Sequence, residues 1–229
     1  MSVTLTPAQA WQEMLEGNRR FVAGAPEHPH QDVGKRHELA EGQAPMATLF
    51  GCSDSRLAAE IIFDKGLGDL FVVRNAGQVI GESIVASLEY AVAVLGVPLI
   101  VVLAHDSCGA VRAAIDGTAI DAAPLPPHIW KLVAPIVPAA RKVLAENGGT
   151  SPADIDADLV GREHLRNTVA DVLQSSELIS AAVAEGRLGI VGANYRLAEG
   201  TAVPAITVGI DTNDNDTVGI TADSKEGTA

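Results

Sequence analysis

Apolar residues along this chain gather into short unbroken runs, separated by longer stretches with helical spacing. The unbroken runs are Met46–Gly51, Leu70–Val73, Pro98–Ala104 and Leu188–Ala193, with a candidate edge strand at Ala205–Ile210. The run at 98–104 has no polar residue inside it. A strand buried on both faces of a parallel sheet reads this way, because neither face turns toward water. Between the runs the spacing predicts helices. Thr6 can cap a helix opening on Pro7-Ala8-Gln9, with Gln9 completing a capping box. Trp11, Leu15 and Val22 then fall near one face. Further helices are expected over 57–65, closed by Gly66, and over 82–95, with Ile84, Leu88, Ala91 and Leu95 inward. Others are expected over 109–117, 128–146, 161–174 and 176–186.

Strands alternating with helices make βαβ units with right-handed crossovers, so helices cover both faces of the sheet. The expected fold class is α/β. It has three layers, with a central mostly parallel sheet of four to five strands flanked by helices. An N-terminal helical arm and loop (1–45) precedes the sheet, with a short helix around 34–41. The segment 118–127 carries three prolines and reads as a loop. A polar tail (211–229) follows, with room for a turn of strand at 217–221. No repeat or linker interrupts the chain, so 1–229 reads as a single domain.

Composition narrows the function classes. The 229 residues suffice for one sizeable core, and 47% hydrophobic with 20% charged residues suits a globular domain. A net charge of -13 repels nucleic acid and anionic membranes, so neither is expected as a partner. No apolar stretch reaches the roughly 18 residues that a membrane span needs. The opening MSVTLTPAQAW lacks the basic and apolar regions of a leader. Two cysteines make no disulfide framework, and a cytoplasmic, reducing location is expected, which would keep both thiols free.

Those two cysteines carry the chemistry. Cys52-Ser53-Asp54-Ser55-Arg56 follows the first strand, and His105-Asp106-Ser107-Cys108-Gly109 follows the third. Two thiols and an imidazole form the donor set of a soft transition-metal site. The carboxyl ends of parallel strands host sites where strand order reverses, so the donors converge if strands one and three are neighbours. Cys52, Asp54 and Arg56 are spaced to share one side of an extended segment, with Ser53 and Ser55 on the other. Asp54 could then ligate the metal, or Arg56 could hold it back by a bidentate ion pair. Taken singly, a buried Cys, a His or an Asp-x-Arg pair is more often structural. Their conjunction after parallel strands points to chemistry. No G-x-G-x-x-G or phosphate-loop pattern supports a nucleotide site. His28, His30 and His37 have the reference pKa for proton shuttling, but read as solvated loop histidines.

The C-x-D-x-R and H-x-x-C runs resemble the signatures of the β-class carbonic anhydrases, most closely over residues 43–113. The resemblance implies one Zn²⁺ per chain on Cys52, His105 and Cys108, with Asp54 and Arg56 as the catalytic pair. It implies reversible hydration of carbon dioxide to bicarbonate and a proton, by attack of zinc-bound hydroxide. The pattern is similar to the plant-type branch, in which Gln43, Phe71, Tyr90 and Gly109 match substrate-site positions. Some pocket residues in that branch come from a neighbouring subunit, so a homodimer, or a homotetramer as a dimer of dimers, is implied. A second branch has a Trp three residues before the first ligand Cys and an inhibitory bicarbonate side pocket. Leu49 stands at that position, so this pocket is not expected, although Arg74 and Tyr195 resemble other members of it. Two thiolates cancel the charge of Zn²⁺ and acidify its water less than three imidazoles would, so activity should rise through mildly alkaline pH. The competing readings are a hydrolase of carbon disulfide or carbonyl sulfide on the same scaffold, and a noncatalytic zinc- or bicarbonate-binding protein.

Overall fold

The computed structural model describes residues 5–149 and 151–210. The apolar runs become β1 (Ala47–Cys52), β2 (Leu70–Asn75), β3 (Leu99–His105), β4 (Gly189–Arg196) and β5 (Thr201–Val208). They form one sheet in the order β2-β1-β3-β4-β5, with β2, β1, β3 and β4 parallel and β5 antiparallel. The chain leaves β1 toward β2, then crosses back to place β3 on β1's other side. Strand order therefore reverses between β1 and β3.

Alternation along β3 explains its unbroken apolar run. Leu99, Val101 and Leu103 enter one core, and Ile100, Val102 and Ala104 enter the other. The helices α1 (Pro7–Val22), α5 (Gly109–Asp116) and α7 (Val137–Glu146) pack on the first face. The helices α4 (Glu82–Ala93) and α9 (Glu177–Ala184) pack on the second. The long α8 (Ala157–Ser175) serves both, sending Val160 to the first core and Leu165, Val169 and Val172 to the second. No helix among the described residues is long and apolar enough to cross a membrane.

Several local expectations change. The helix expected over 128–146 is broken into α6 (Pro127–Val133), a 3₁₀ turn (Ala134–Ile136) and α7. Pro135 and Pro138 lack the amide hydrogens an unbroken helix needs there. The expected edge strand begins earlier, at Thr201, because a tight turn after Arg196 folds it back on β4 as a hairpin. Pro204 is tolerated at a register shift on this edge strand. The helix α3 (Ala59–Ile62) is shorter than expected, and it is stopped by Asp64 at φ 45° rather than by Gly66. In α1 the Thr6 capping box forms as expected. Its buried stripe is Ala10, Trp11, Met14, Gly17 and Asn18, with Val22 exposed on the flank. The strand turn expected at 217–221, like the rest of the polar tail, lies outside the described residues.

Trp11 and Met14 bury α1 in the sheet's first core, whereas 24–44, with α2 (Val33–Glu38), stays on the surface. Asp64 ties this surface segment down. Its carboxylate accepts from Arg20 Nε at 2.6 Å and from the amides of Glu27 and His28 at 3.0 Å. Burial alone would raise the Asp64 pKa, but the Glu27 amide, Arg20 and the His28 amide outweigh it and hold it below the ordinary value. The folded-state pKa is depressed, so this stabilisation is present above the unfolded pKa of about 3.9 and is lost as pH falls through the folded value. In urea titrations, the stability gap between wild type and Asp64→Asn should therefore be full near neutrality and shrink below about pH 4. A gap that stays constant with pH would refute this role.

Candidate metal centre

The reversal between β1 and β3 builds the site. Cys52 ends β1, His105 ends β3, and Cys108 caps α5 three residues later. Gly51 of β1 pairs with Leu103 of β3, so the two strand ends lie side by side. The ligand atoms of Cys52, His105 and Cys108 all lie within 4.8 Å of one another, and all three residues are buried.

The imidazole is oriented for coordination. His105 Nδ1 donates to the Asp106 carbonyl at 2.8 Å, which leaves Nε2 as the lone-pair nitrogen. Nε2 is buried and has no hydrogen-bond partner. An unpaired buried acceptor costs roughly 1–3 kcal/mol, and a cation between imidazole and thiols removes that cost. The neighbouring Cys108 thiol and the Gly77 amide hold the Cys52 pKa below its ordinary value against the effect of burial. A buried anionic sulfur beside a second thiol and a free imidazole nitrogen fits Zn²⁺, whose catalytic sites use three protein donors and keep one position open.

Asp54 and Arg56 stand at the rim. The segment is a turn rather than extended, closed by Leu57 N donating to Asp54 O at 3.0 Å. Asp54 Oδ1 also accepts from the Arg56 amide at 3.0 Å, the local bond by which Asp favours turns. Arg56 grips the carboxylate with two prongs, Nε to Oδ1 at 2.8 Å and Nη2 to Oδ2 at 2.7 Å. Of the two expected arrangements, this is the ion pair. The guanidinium holds the Asp54 carboxyl well below the usual range. Asp54 Oδ2 lies 3.9 Å from His105 Nε2, at the edge of the donor set.

The remaining expected site residues are not all here. Gly109 directly follows Cys108 as the first residue of α5. Phe71 and Tyr90 form an aromatic pair with centroids 6.0 Å apart, on the β2 edge. Phe71 pairs with Thr48, four residues before Cys52, or roughly 13 Å along the strand. Gln43 is exposed before β1 begins, at the opposite end of that strand from Cys52. One chain therefore does not bring Gln43, Phe71 and Tyr90 to the cluster. His28, His30 and His37 are exposed, and His30 Nδ1 is bound to Asp69 at 2.8 Å. Leu49 is buried in the first core.

Other residues support the ligands. Arg74 donates to the carbonyls of Cys52 at 3.0 Å and Asp54 at 2.7 Å, fastening the turn. Asp106 Oδ1 accepts from the Leu197 amide at 3.1 Å. Gly77 N donates to Cys52 Sγ at 3.3 Å. Asn75 brackets this loop through Val79, with its side chain bonded to Val79 O at 2.7 Å and Val79 N at 2.9 Å. The sequence signal for Gly77 was weak: a glycine just past a strand on the sheet's carboxyl edge.

A family model described as carbonic anhydrase matches residues 47–202. The chain is 50% identical over 198 residues to carbonic anhydrase 2 of Mycobacterium tuberculosis, covering 86% of this chain and 92% of that protein. It is 46% identical over 196 residues to a carbonic anhydrase of Mycolicibacterium smegmatis, covering 85% and 91%. Among solved structures, a tetrameric β-carbonic anhydrase of Sordaria macrospora is similar at TM-score 0.66 and 25% identity, covering 86% of this chain and 98% of that one.

Gly77 lies at φ 82°, and a Cβ there would stand 2.9 Å from Ala110 Cβ. Gly77→Ala should therefore displace the amide from Cys52 and weaken metal binding by about tenfold or more. Gly81→Ala, where a Cβ meets nothing within 4 Å, should leave it unchanged. Competition with a chromophoric chelator measures both, and equal affinities would reject the role given to the Gly77 amide.

Proposed function

The chain belongs to the β-carbonic anhydrase family, and from it we propose reversible hydration of carbon dioxide to bicarbonate and a proton, at one zinc per chain held by Cys52, His105 and Cys108. The observation that carries the reading is the unpartnered, buried Nε2 of His105 beside two thiols, with a carboxylate–guanidinium pair at the rim. Zinc in this site supplies Lewis acidity and lowers the pKa of water toward neutrality.

The chain's own groups orient and charge the reaction. Cys52 Sγ and Cys108 Sγ supply negative charge, and His105 supplies a neutral nitrogen aimed by the Asp106 carbonyl. Asp54 stays ionised because Arg56 neutralises it, so Oδ2 can accept a hydrogen bond from the attacking oxygen and orient its lone pair toward carbon. Arg56 Nη2 also reaches the Ser107 carbonyl at 3.4 Å, which links the pair to the His105–Cys108 loop. A noncatalytic site would need neither Asp54 nor Arg56.

Gln43, Phe71 and Tyr90 act on the site of a neighbouring chain in this reading, in a homodimer or a dimer of dimers. Their distance from their own cluster supports this, as does the 46% exposure of Tyr90 beside Phe71 on an edge strand. The Sordaria macrospora neighbours are tetrameric.

Purified protein should carry one zinc per chain, and its hydration rate should rise through mildly alkaline pH. Absence of both zinc and hydration would overturn the assignment. Asp54→Asn and Arg56→Ala should each retain zinc yet lose on the order of 100-fold in hydration rate. Near wild-type turnover in either variant would reject the pair's role. Mixing Cys52→Ser chains with Gln43→Ala chains should restore activity that neither has alone, because one mixed site has both residues intact. No recovery on mixing, with mixed oligomers shown to form, would place Gln43 outside the neighbour's site.

A further inference from the structure

The helix α8 reaches the metal centre at two levels without supplying a ligand. At its start, Asp158 Oδ1 accepts from the Ser107 amide at 3.2 Å, inside the His105–Cys108 loop. Further along, His164 Nε2 donates to the Gly77 carbonyl at 2.8 Å, and His164 is only 4% exposed. One turn on, the Thr168 hydroxyl donates to the His164 carbonyl at 2.9 Å and lies 3.5 Å from the Gln78 carbonyl.

The segment gripped there is unusual in its backbone. Gly77 and the non-glycine Gln78 both have positive φ, 82° and 41°. Two successive left-handed residues persist only when their surroundings hold them. The Asn75 side chain holds the loop from within, and α8 holds it from outside. The same Gly77 that accepts from His164 donates its amide to Cys52 Sγ. A chain of hydrogen bonds thus runs from α8 through one residue to a ligand sulfur.

We propose that His164 is a positioning residue of the metal centre: by holding the Gly77 carbonyl it keeps the Gly77 amide on Cys52 Sγ, which orients the sulfur and sets the retention of zinc. This rests on the zinc reading given above. An N–H bond withdraws electron density from a thiolate and orients its lone pairs. Without the imidazole, the Gly77 carbonyl is buried and unpaired, and the loop relaxes by turning that residue, which takes the amide off the sulfur.

Cobalt-substituted protein supplies a readout independent of activity, because the sulfur-to-cobalt charge-transfer band reports the thiolate directly. His164→Leu should shift that band to longer wavelength and speed zinc loss to a chelator by about tenfold. His164→Gln keeps a donor at similar reach and should match wild type on both measurements. Folded His164→Leu with an unchanged band and rate, or His164→Gln behaving like His164→Leu, would overturn the proposal. If His164→Leu does not fold, cadmium-113 in the wild-type protein decides. The Gly77 amide proton should show scalar coupling to the metal through Cys52, and its absence overturns the proposal. Wild type that takes up no cobalt would sink the zinc reading as well, whereas uptake with indistinguishable variants sinks this inference alone.

Discussion

Everything at this site depends on the parallel pairing of β1 with β3. Neither strand carries a complete donor set, and the two stand next to each other only because the chain crosses over β1 after β2. Strand ends at such a reversal diverge toward their own helices and leave a crevice with backbone amides at its walls. Here the crevice is narrow enough to bury two thiols and an imidazole together. Burial leaves the His105 Nε2 lone pair without a partner beside two thiols, a cost that a cation held between them would remove.

A buried donor set is only as precise as the backbone beneath it. The Cys52 side is held by Arg74 on its carbonyls and by Gly77 on its sulfur. The His105–Cys108 side is held by the Leu197 amide on Asp106, by Asp158 on Ser107 and by Arg56 on the Ser107 carbonyl. These groups come from β2 and the loop after it, the β4–β5 turn, α8 and the turn after β1. The ion pair of Asp54 and Arg56 therefore has two uses. It keeps a carboxylate charged at the rim, and it joins the loops that carry the ligands.

Much of this was legible beforehand. The strands β1 and β3 read as aliphatic runs because strands covered on both faces cannot alternate with polar residues. The Cys52 and His105–Cys108 runs stood out because ligand types and spacing are local properties. The break between α6 and α7 was also in the sequence, at Pro135 and Pro138, but the apolar spacing across 128–146 masked it. The β5 start is obscured because Pro204 interrupts the run, and only pairing with β4 makes 201–204 part of the strand.

By itself the sequence determined the α/β alternation, the identity of the candidate metal donors and the proximity of Asp54 and Arg56, since each depends on residues a few positions apart. Tertiary structure alone decided that Cys52 meets His105 and Cys108, that Gln43, Phe71 and Tyr90 lie away from their own cluster, and that His164 reaches Gly77. Those outcomes depend on strand order and helix placement. They are set by the summed burial of two cores over the whole chain, and no local pattern of residues encodes that sum.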